Sequence, residues 1–328
     1  MIFLIILLFV ISCLVLFWSG SRLVESLGGL AEYLGWREFV VAFFIVALAA
    51  SLPNLFVGIN ASLQGVPALS LGQIMGGSVA DLTLAIALAV LFGTGSIQIK
   101  SKMVQTSAIF TAVIAVLPLL LIADKSLSRG DGLVLIGAFV IYSVWLFSKG
   151  ERFKEIYSLP RTRKKKEPKI NSILSRFGEF MRDLAKSFFY LILLLAASWG
   201  VVASSQSFAV FLGISISIVG ILLVGLGNSL PEIYFAVVSA RKGKSWLILG
   251  DLMGAIIICT TFVLGIIVLI FPINNIDFSP FIIARLFLVI SSVLFLLFIK
   301  TGKEITRSEA AILLTIYFIF IFTELAFQ

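Results

Sequence analysis

A chain of 328 residues that is 60% apolar, 13% charged and has a mean hydropathy of +1.14 cannot be a water-soluble domain, because soluble domains carry roughly 25% charged residues. The net charge of +8 does not mark a nucleic-acid binder, since the basic residues sort by loop along the chain. Histidine is absent and only Cys13 and Cys259 are cysteines, which removes the commonest transition-metal ligand and argues against a disulfide framework.

Apolar runs of about 20 residues, long enough to cross ~30 Å of hydrocarbon, recur from end to end. They predict ten spans at roughly 2–20, 38–63, 68–93, 103–122, 130–147, 187–205, 208–240, 245–271, 279–299 and 309–327. Continuous apolarity, with no alternation of polar and apolar positions, selects helices over barrel strands. The expected class is therefore an all-α integral membrane protein.

The first run has no Lys or Arg before it, and its Val10-Ile11-Ser12-Cys13 box lies inside an apolar stretch that continues. A first membrane helix is expected there, not a cleaved signal. With ten spans starting outside, 22 of the 25 Lys and Arg residues fall on one side and only Lys125, Arg129 and Arg285 on the other. The excess of basic residues places both termini outside and the 149–186 loop in the cytoplasm, so a multi-pass protein of the cell membrane is expected. Within that loop, Arg161 to Lys166 is expected to be a solvated topogenic linker, and 174–186 a short amphipathic helix on the membrane surface.

A repeat carries the main signal. Ser51-Leu52-Pro53-Asn54 recurs as Ser229-Leu230-Pro231-Glu232, an offset of 178 residues, and at that offset Gly65 meets Gly243, Leu71-Gly72 meets Leu249-Gly250, and Met75-Gly76 meets Met253-Gly254. Five helices per half is an odd number, so the second half enters the membrane from the opposite side. The chain divides into a first repeat 1–148 (motif 47–85), a basic linker 149–186, and a second repeat 187–328 (motif 225–263). Inverted repeats are a common construction of secondary transporters, with the ion site at their midplane interface.

Proline removes an amide donor and crowds the carbonyl one turn earlier, so Pro53 and Pro231 are expected to break their helices and release carbonyls near Ala47 and Gly225. A charged carboxylate at mid-membrane costs at least ~2.5–3.5 kcal/mol and needs a partner or a purpose. Glu232 follows the second proline, Asp81 lies one turn past Gly77-Ser78, and no Lys or Arg is near either in its own helix. Bound cations or protons are the expected compensation. Ser51, Asn54, Asn228 and Ser229 add hard oxygen donors suited to Ca²⁺ or Na⁺. Glycines 72, 76, 77, 250 and 254 are expected to let helices approach closely, and Asp251 is expected in a vestibule at the mouth of its helix.

These residues resemble the cation/Ca²⁺ exchanger superfamily, especially prokaryotic Na⁺/Ca²⁺ exchangers. Their inverted repeats carry Gly-Thr/Asn-Ser-Leu-Pro-Glu and Gly-Asn-x-x-Gly-Ser-Asn-x-x-Asn/Asp. Gly227-Asn228-Ser229-Leu230-Pro231-Glu232 fits the first pattern throughout. The resemblance covers nearly the whole chain and implies ten helices in two inverted five-helix repeats. Carried over by position, the implied ion-binding set includes Ser51, Asn54, Asp81, Asn228, Ser229, Glu232 and Cys259, and the proline-released carbonyls near Ala47 and Gly225 are expected to complete it. Asn54 stands at a glutamate position, Ala50 at a threonine, Asp81 at an asparagine, Gly77 and Ala255 at serines, and Cys259 at an Asp/Asn position.

The expected function is a secondary-active antiporter exchanging Ca²⁺ for Na⁺ by alternating access, with Asp81 and Glu232 as the Ca²⁺ ligands. The alternatives are a divalent cation/H⁺ antiporter and an exchanger of monovalent cations. An intramembrane aspartyl protease is disfavoured, because Ile248 and Leu249 stand where a Gly-x-Gly-Asp motif needs its first Gly and x. A scaffold that has lost transport remains a third class. No enzyme activity, cofactor, nucleotide or nucleic acid is implied, there being no phosphate-binding Gly-Lys loop. The partners are inorganic cations and the lipid bilayer, and a monomer is expected.

Overall fold

The structure, a computed structural model, describes residues 2–33, 51–93, 95–99, 102–148, 171–243, 245–277, 279–302 and 304–327. Among the described residues ten helices follow in order: α1 (Ile2–Tyr33), α2 (Leu52–Leu63), α3 (Pro67–Phe92), α4 (Lys102–Leu121), α5 (Arg129–Ser148), α6 (Asn171–Leu212), α7 (Ile216–Arg241), α8 (245–270), α9 (Ile282–Thr301) and α10 (Arg307–Ala326). Among the described residues, nine are long and apolar enough to cross a membrane, and α2 is a shorter apolar helix. The predicted second span is described only from residue 51, so Ala47 and Ala50 lie outside the described residues, as does the basic run 161–166.

Two boundaries differ from expectation. The segment 174–186 is not a separate surface helix but part of α6, which runs unbroken for 42 residues. No Pro interrupts it, and Lys186 pairs with Asp183 one turn away at 3.6 Å, so nothing in the sequence stops the helix at the membrane edge. The following turn falls at 213–215, later than predicted. Gly213 takes the left-handed φ of +67° that ends α6, and the Ser215 hydroxyl accepts the Ile218 amide at 3.3 Å to start α7.

The halves share turn chemistry as well as sequence. Gly65, between α2 and α3, and Gly243, between α7 and α8, are 178 residues apart and both left-handed, at φ +74° and +66°. Two short strand contacts tie the halves together at opposite ends of α4. Ile97–Gln98 (β1) pairs antiparallel with Glu304–Ile305 (β2), and Leu127 bridges Ile273.

α1 and α6 form a long antiparallel pair with its own apolar cluster, to which α2 contributes Val57 and Ala61. Phe9 meets Phe208 edge-on with centroids 5.6 Å apart, Trp18 meets Tyr190 at 5.6 Å, and the Ser26 and Ser187 hydroxyls share a hydrogen bond of 2.8 Å. The main core gathers α3, α4, α7, α8, α9 and α10 around Val79, Ile86, Leu252, Leu264 and Phe295.

At its centre α3 crosses α7 backbone to backbone. A Cβ on Gly72 would lie 2.5 Å from the Ser217 carbonyl oxygen, one on Gly220 2.6 Å from that of Leu69, and one on Gly225 2.8 Å from the Gly77 amide. Only glycine lets two helices sit this close. Gly254 differs from its counterpart Gly76, since no described atom lies within 4 Å of a Cβ built there.

Candidate functional site

Three helix segments beside this crossing are wound wide, as π turns: Asp81–Ala85 in α3, Gly220–Val224 in α7 and Ile258–Val263 in α8. The first and third occupy equivalent places in the repeat. Widening draws amides away from the carbonyls four residues back, and in both turns a threonine takes over: Thr83 donates to the Val79 carbonyl and Thr261 to that of Ile257. Thr83 and Thr261 are themselves 178 residues apart.

Pro231 does not break its helix. It lies inside the continuous segment Gly225–Arg241, and the departure from α geometry comes earlier, at Gly220–Val224. Gly225 and Gly227 have no side chains to crowd the pyrrolidine ring, and the wide turn takes up the remaining strain. The carbonyl deprived of its amide is that of Gly227, four residues before the proline, and Gly227 lines the outer cavity described below. The carbonyl expected at Gly225 is instead within helical reach of the Ser229 amide. Pro53 stands in the first turn of α2, where its missing amide costs nothing.

Four helices enclose a chamber of about 20 Å³, lined among others by Asn54 from α2, Asp81 from α3, Asn228 and Glu232 from α7, and Cys259 from α8. That volume suits a single water or one dehydrated cation. Neutral side chains are tied to one another. Asn228 Nδ2 donates to Asn54 Oδ1 at 2.6 Å and to Gln73 Oε1 at 3.2 Å, and Gln73 Nε2 donates to the Asn54 carbonyl at 3.0 Å. Asn54 Nδ2 donates to Cys259 Sγ at 3.3 Å, and Ser229 Oγ to the Gly77 carbonyl at 3.2 Å.

The acids are tied only in part: Asp81 meets the Ser229 hydroxyl, and each acid keeps one oxygen free. Asp81 is 6% exposed, and Asp81 Oδ1 and Glu232 Oε2 are buried with no hydrogen-bond partner. Asp81, Glu232 and Asp251 lie close enough to feel one another's charge, and among the described residues no Lys or Arg lines the chamber. An isolated buried carboxylate without a partner is strongly disfavoured. The chamber is thus a negative, desolvated cavity whose orphaned oxygens call for a cation or protons.

A larger cavity of about 370 Å³ adjoins it and shares Asn54, Asn228 and Glu232 with the chamber. Its walls include Cys13, Phe17 and Gly20 of α1, Pro231 and Tyr234 of α7, and Asp251 of α8.

Of the residues singled out in the sequence, Asn54, Asp81, Asn228, Ser229, Glu232 and Cys259 come together at the chamber. Ser51 is buried beside the Cys259 thiol without lining it. Gly225 packs on Gly76 and Gly77 without itself lining the chamber. Ala47 lies outside the described residues. Sequence reasoning missed Gln73, whose amide links Asn54 to Asn228. Its signal was present: at the 178-residue offset Gln73 meets Asp251, so the position is polar in both repeats.

A family model described as sodium/calcium exchanger protein matches residues 4–148 and 185–326. The chain is 28% identical to the sodium/calcium exchanger MaX1 of Methanosarcina acetivorans, over 92% of this chain and 93% of that protein. It is 25% identical to the putative antiporter CaxA of Alkalimonas amylolytica, over 80% and 79% of the two chains. Among solved structures, the sodium-calcium exchanger NCX_Mj soaked with Na⁺ and Sr²⁺ is similar with a TM-score of 0.62, covering 98% of this chain and 99% of that one at 23% identity. That last likeness is one of fold.

Proposed function

Since the chain belongs to the sodium/calcium exchanger protein family, we propose that it is a secondary-active antiporter exchanging Ca²⁺ for Na⁺ by alternating access. The observation that carries this reading is the chamber of about 20 Å³ with two carboxylates that each keep an orphaned oxygen and, among the described residues, no basic residue. Asp81 and Glu232 are the charged ligands of the transported Ca²⁺. Asn54, Gln73 and Asn228 supply neutral oxygens and hold the cavity open through their mutual hydrogen bonds. Ca²⁺ takes six to eight oxygens in flexible geometry, typically at ~2.3–2.6 Å, and two carboxylates neutralise its charge.

The side-chain donors favour a second reading at one point. Gly77 and Ala255 line the chamber without offering an oxygen, which thins the neutral shell available to Na⁺. Protons carried on Asp81 and Glu232 would then serve as the counter-ion, making the protein a Ca²⁺/H⁺ antiporter.

The protein lies in the cell membrane with both termini outside and residues 149–186 in the cytoplasm, in keeping with the one-sided distribution of basic residues. It works as a monomer with no cofactor. The first half 1–148 and the second half 187–328 act as the two repeats that reorient around the chamber.

The test is uptake of radioactive Ca²⁺ into proteoliposomes under imposed Na⁺ or H⁺ gradients. Uptake driven by an outward Na⁺ gradient is expected; uptake driven by H⁺ alone selects the second reading. Ca²⁺ movement indifferent to both gradients overturns antiport.

A further inference from the structure

We infer that Asp251, together with Glu232, forms a second and outer cation site on the wall of the vestibule, which collects a hydrated cation and passes it to the chamber. This rests on the antiporter reading and adds a loading step to it.

The vestibule holds about 370 Å³, against about 20 Å³ for the chamber. At roughly 30 Å³ per water, a cation with six or seven waters needs about 200 Å³, so the vestibule admits a hydrated ion and the chamber only a stripped one. Glu232 lines both cavities, whereas Asp251 lines only the vestibule. The two carboxylates are within electrostatic reach of each other, and among the described residues no Lys or Arg lines the wall they share.

Asp251 makes no hydrogen bond or ion pair among the described residues. Its repeat counterpart Gln73 is fully engaged, donating at 3.0 Å and accepting at 3.2 Å. One copy of the position is a structural amide and the other an unengaged charge on the wall of a roomy cavity. Within its electrostatic reach lies Glu232, whose Oε2 is buried and unpartnered, and deeper in the chamber is Asp81 Oδ1, likewise buried and unpartnered. The three acids therefore form a graded path from hydrated to desolvated ion. Low-dielectric walls around one sign of charge raise the local counter-ion concentration.

The vestibule residues from α7 and α8 lie toward the ends of those helices that meet at the turn after Arg241. The outer site therefore serves one face of the membrane, the cytoplasmic one in the orientation given above.

The test is Asp251→Asn in the full chain, reconstituted in vesicles and assayed for Ca²⁺ transport from each face separately. The KM for Ca²⁺ is expected to rise about 3- to 10-fold from the face bearing the Arg241 turn and to hold from the other, with a smaller change for Na⁺. The rise should shrink when choline chloride takes the ionic strength from about 0.02 to 0.5 M, where the screening length falls to about 4 Å. Asp251→Glu should restore the wild-type KM. An equal change on both faces, no change, or a change indifferent to salt overturns the outer site.

Equilibrium binding of radioactive Ca²⁺ to the purified protein separates this failure from that of antiport. Wild type should show a weak, salt-sensitive Ca²⁺ population that Asp251→Asn lacks. Identical isotherms defeat the outer site even where antiport is measured. A wild type that binds this population without any coupled flux keeps the site and defeats the antiporter.

Discussion

Substituting Gly76 with alanine tests the crossing on which the chamber is built. A Cβ on Gly76 would overlap the Ile221 carbonyl oxygen and lie 2.7 Å from the carbonyl carbon and 2.8 Å from Cα. All three are backbone atoms of the wide turn Gly220–Val224, so no side chain can rotate away and α3 must part from α7. Overpacking a tight interior typically costs 1–3 kcal/mol, and a clash with backbone belongs at the top of that range, about 3 kcal/mol. At about 2–4 °C per kcal/mol for large domains, the melting temperature in detergent should fall by roughly 6–12 °C. Gly254→Ala at the matching place in the second half is the control. With no described atom within 4 Å of its Cβ, it should be neutral or gain up to about 1 kcal/mol of helix propensity. Equal melting temperatures for the two variants, or a Gly76→Ala protein as stable as wild type, would refute the close-crossing argument.

Three further outcomes follow from the chamber. Glu232→Gln should abolish Ca²⁺ binding measured by equilibrium dialysis while leaving the helical circular dichroism signal intact; retained binding counts against Glu232 as a ligand. Asn228→Ala removes the donor shared by Asn54 and Gln73 and strands two acceptors, so stability should drop by about 1–3 kcal/mol and Ca²⁺ affinity with it, read as a lower melting temperature and a raised KM. Ala255→Ser returns a hydroxyl to the chamber wall and should lower the Na⁺ concentration needed to drive Ca²⁺ efflux by several-fold; an unchanged Na⁺ dependence says that this wall does not touch Na⁺.

The fold was legible because its determinants are repeated and coarse: apolar runs of membrane length, an odd number of them per half, and glycines at a fixed offset. The meeting of Asn54, Asp81, Asn228 and Glu232 was legible for the same reason, since a polar residue in an apolar helix has few tolerable places to go. The wide turns were not. Asp81–Ala85 and Ile258–Val263 carry no Gly or Pro, and their widening shows in sequence only as the repeated Thr83 and Thr261. The placement of the helix irregularity at Pro231 failed because the proline rule is local, whereas α7 relieves its strain upstream, where glycine contact with α3 already shapes the backbone. The length of α6 was hidden by its composition: polar residues at 174–186 suggest a membrane surface, but hydropathy does not say where a helix ends.

The repeat also exposes a rule about where charge sits. Each acid of the site has a neutral counterpart in the other half: Asp81 faces Cys259 in the repeat, Glu232 faces Asn54, and Asp251 faces Gln73. In a chamber of about 20 Å³, charging both copies of a position would set like charges across the pseudo-twofold axis with one small ion between them. The neutral copies are also employed, since Asn54 donates to Cys259 and accepts from Asn228. Asn54→Glu would therefore gain a ligand and lose a donor together. If charge alone governs the site, this variant binds divalent cations more tightly than wild type. If the amide network governs it, as the 2.6 Å bond between Asn228 and Asn54 suggests, the introduced carboxylate can still accept from Asn228 but has no hydrogen to donate to Cys259. Ca²⁺ affinity should then rise by less than the added charge alone would give, and the ion-free protein should lose melting temperature, because the hydrogen bond from residue 54 to Cys259 is gone. A variant that is tighter for Ca²⁺ and equally stable without it would show that the amide of Asn54 contributes nothing to the resting chamber.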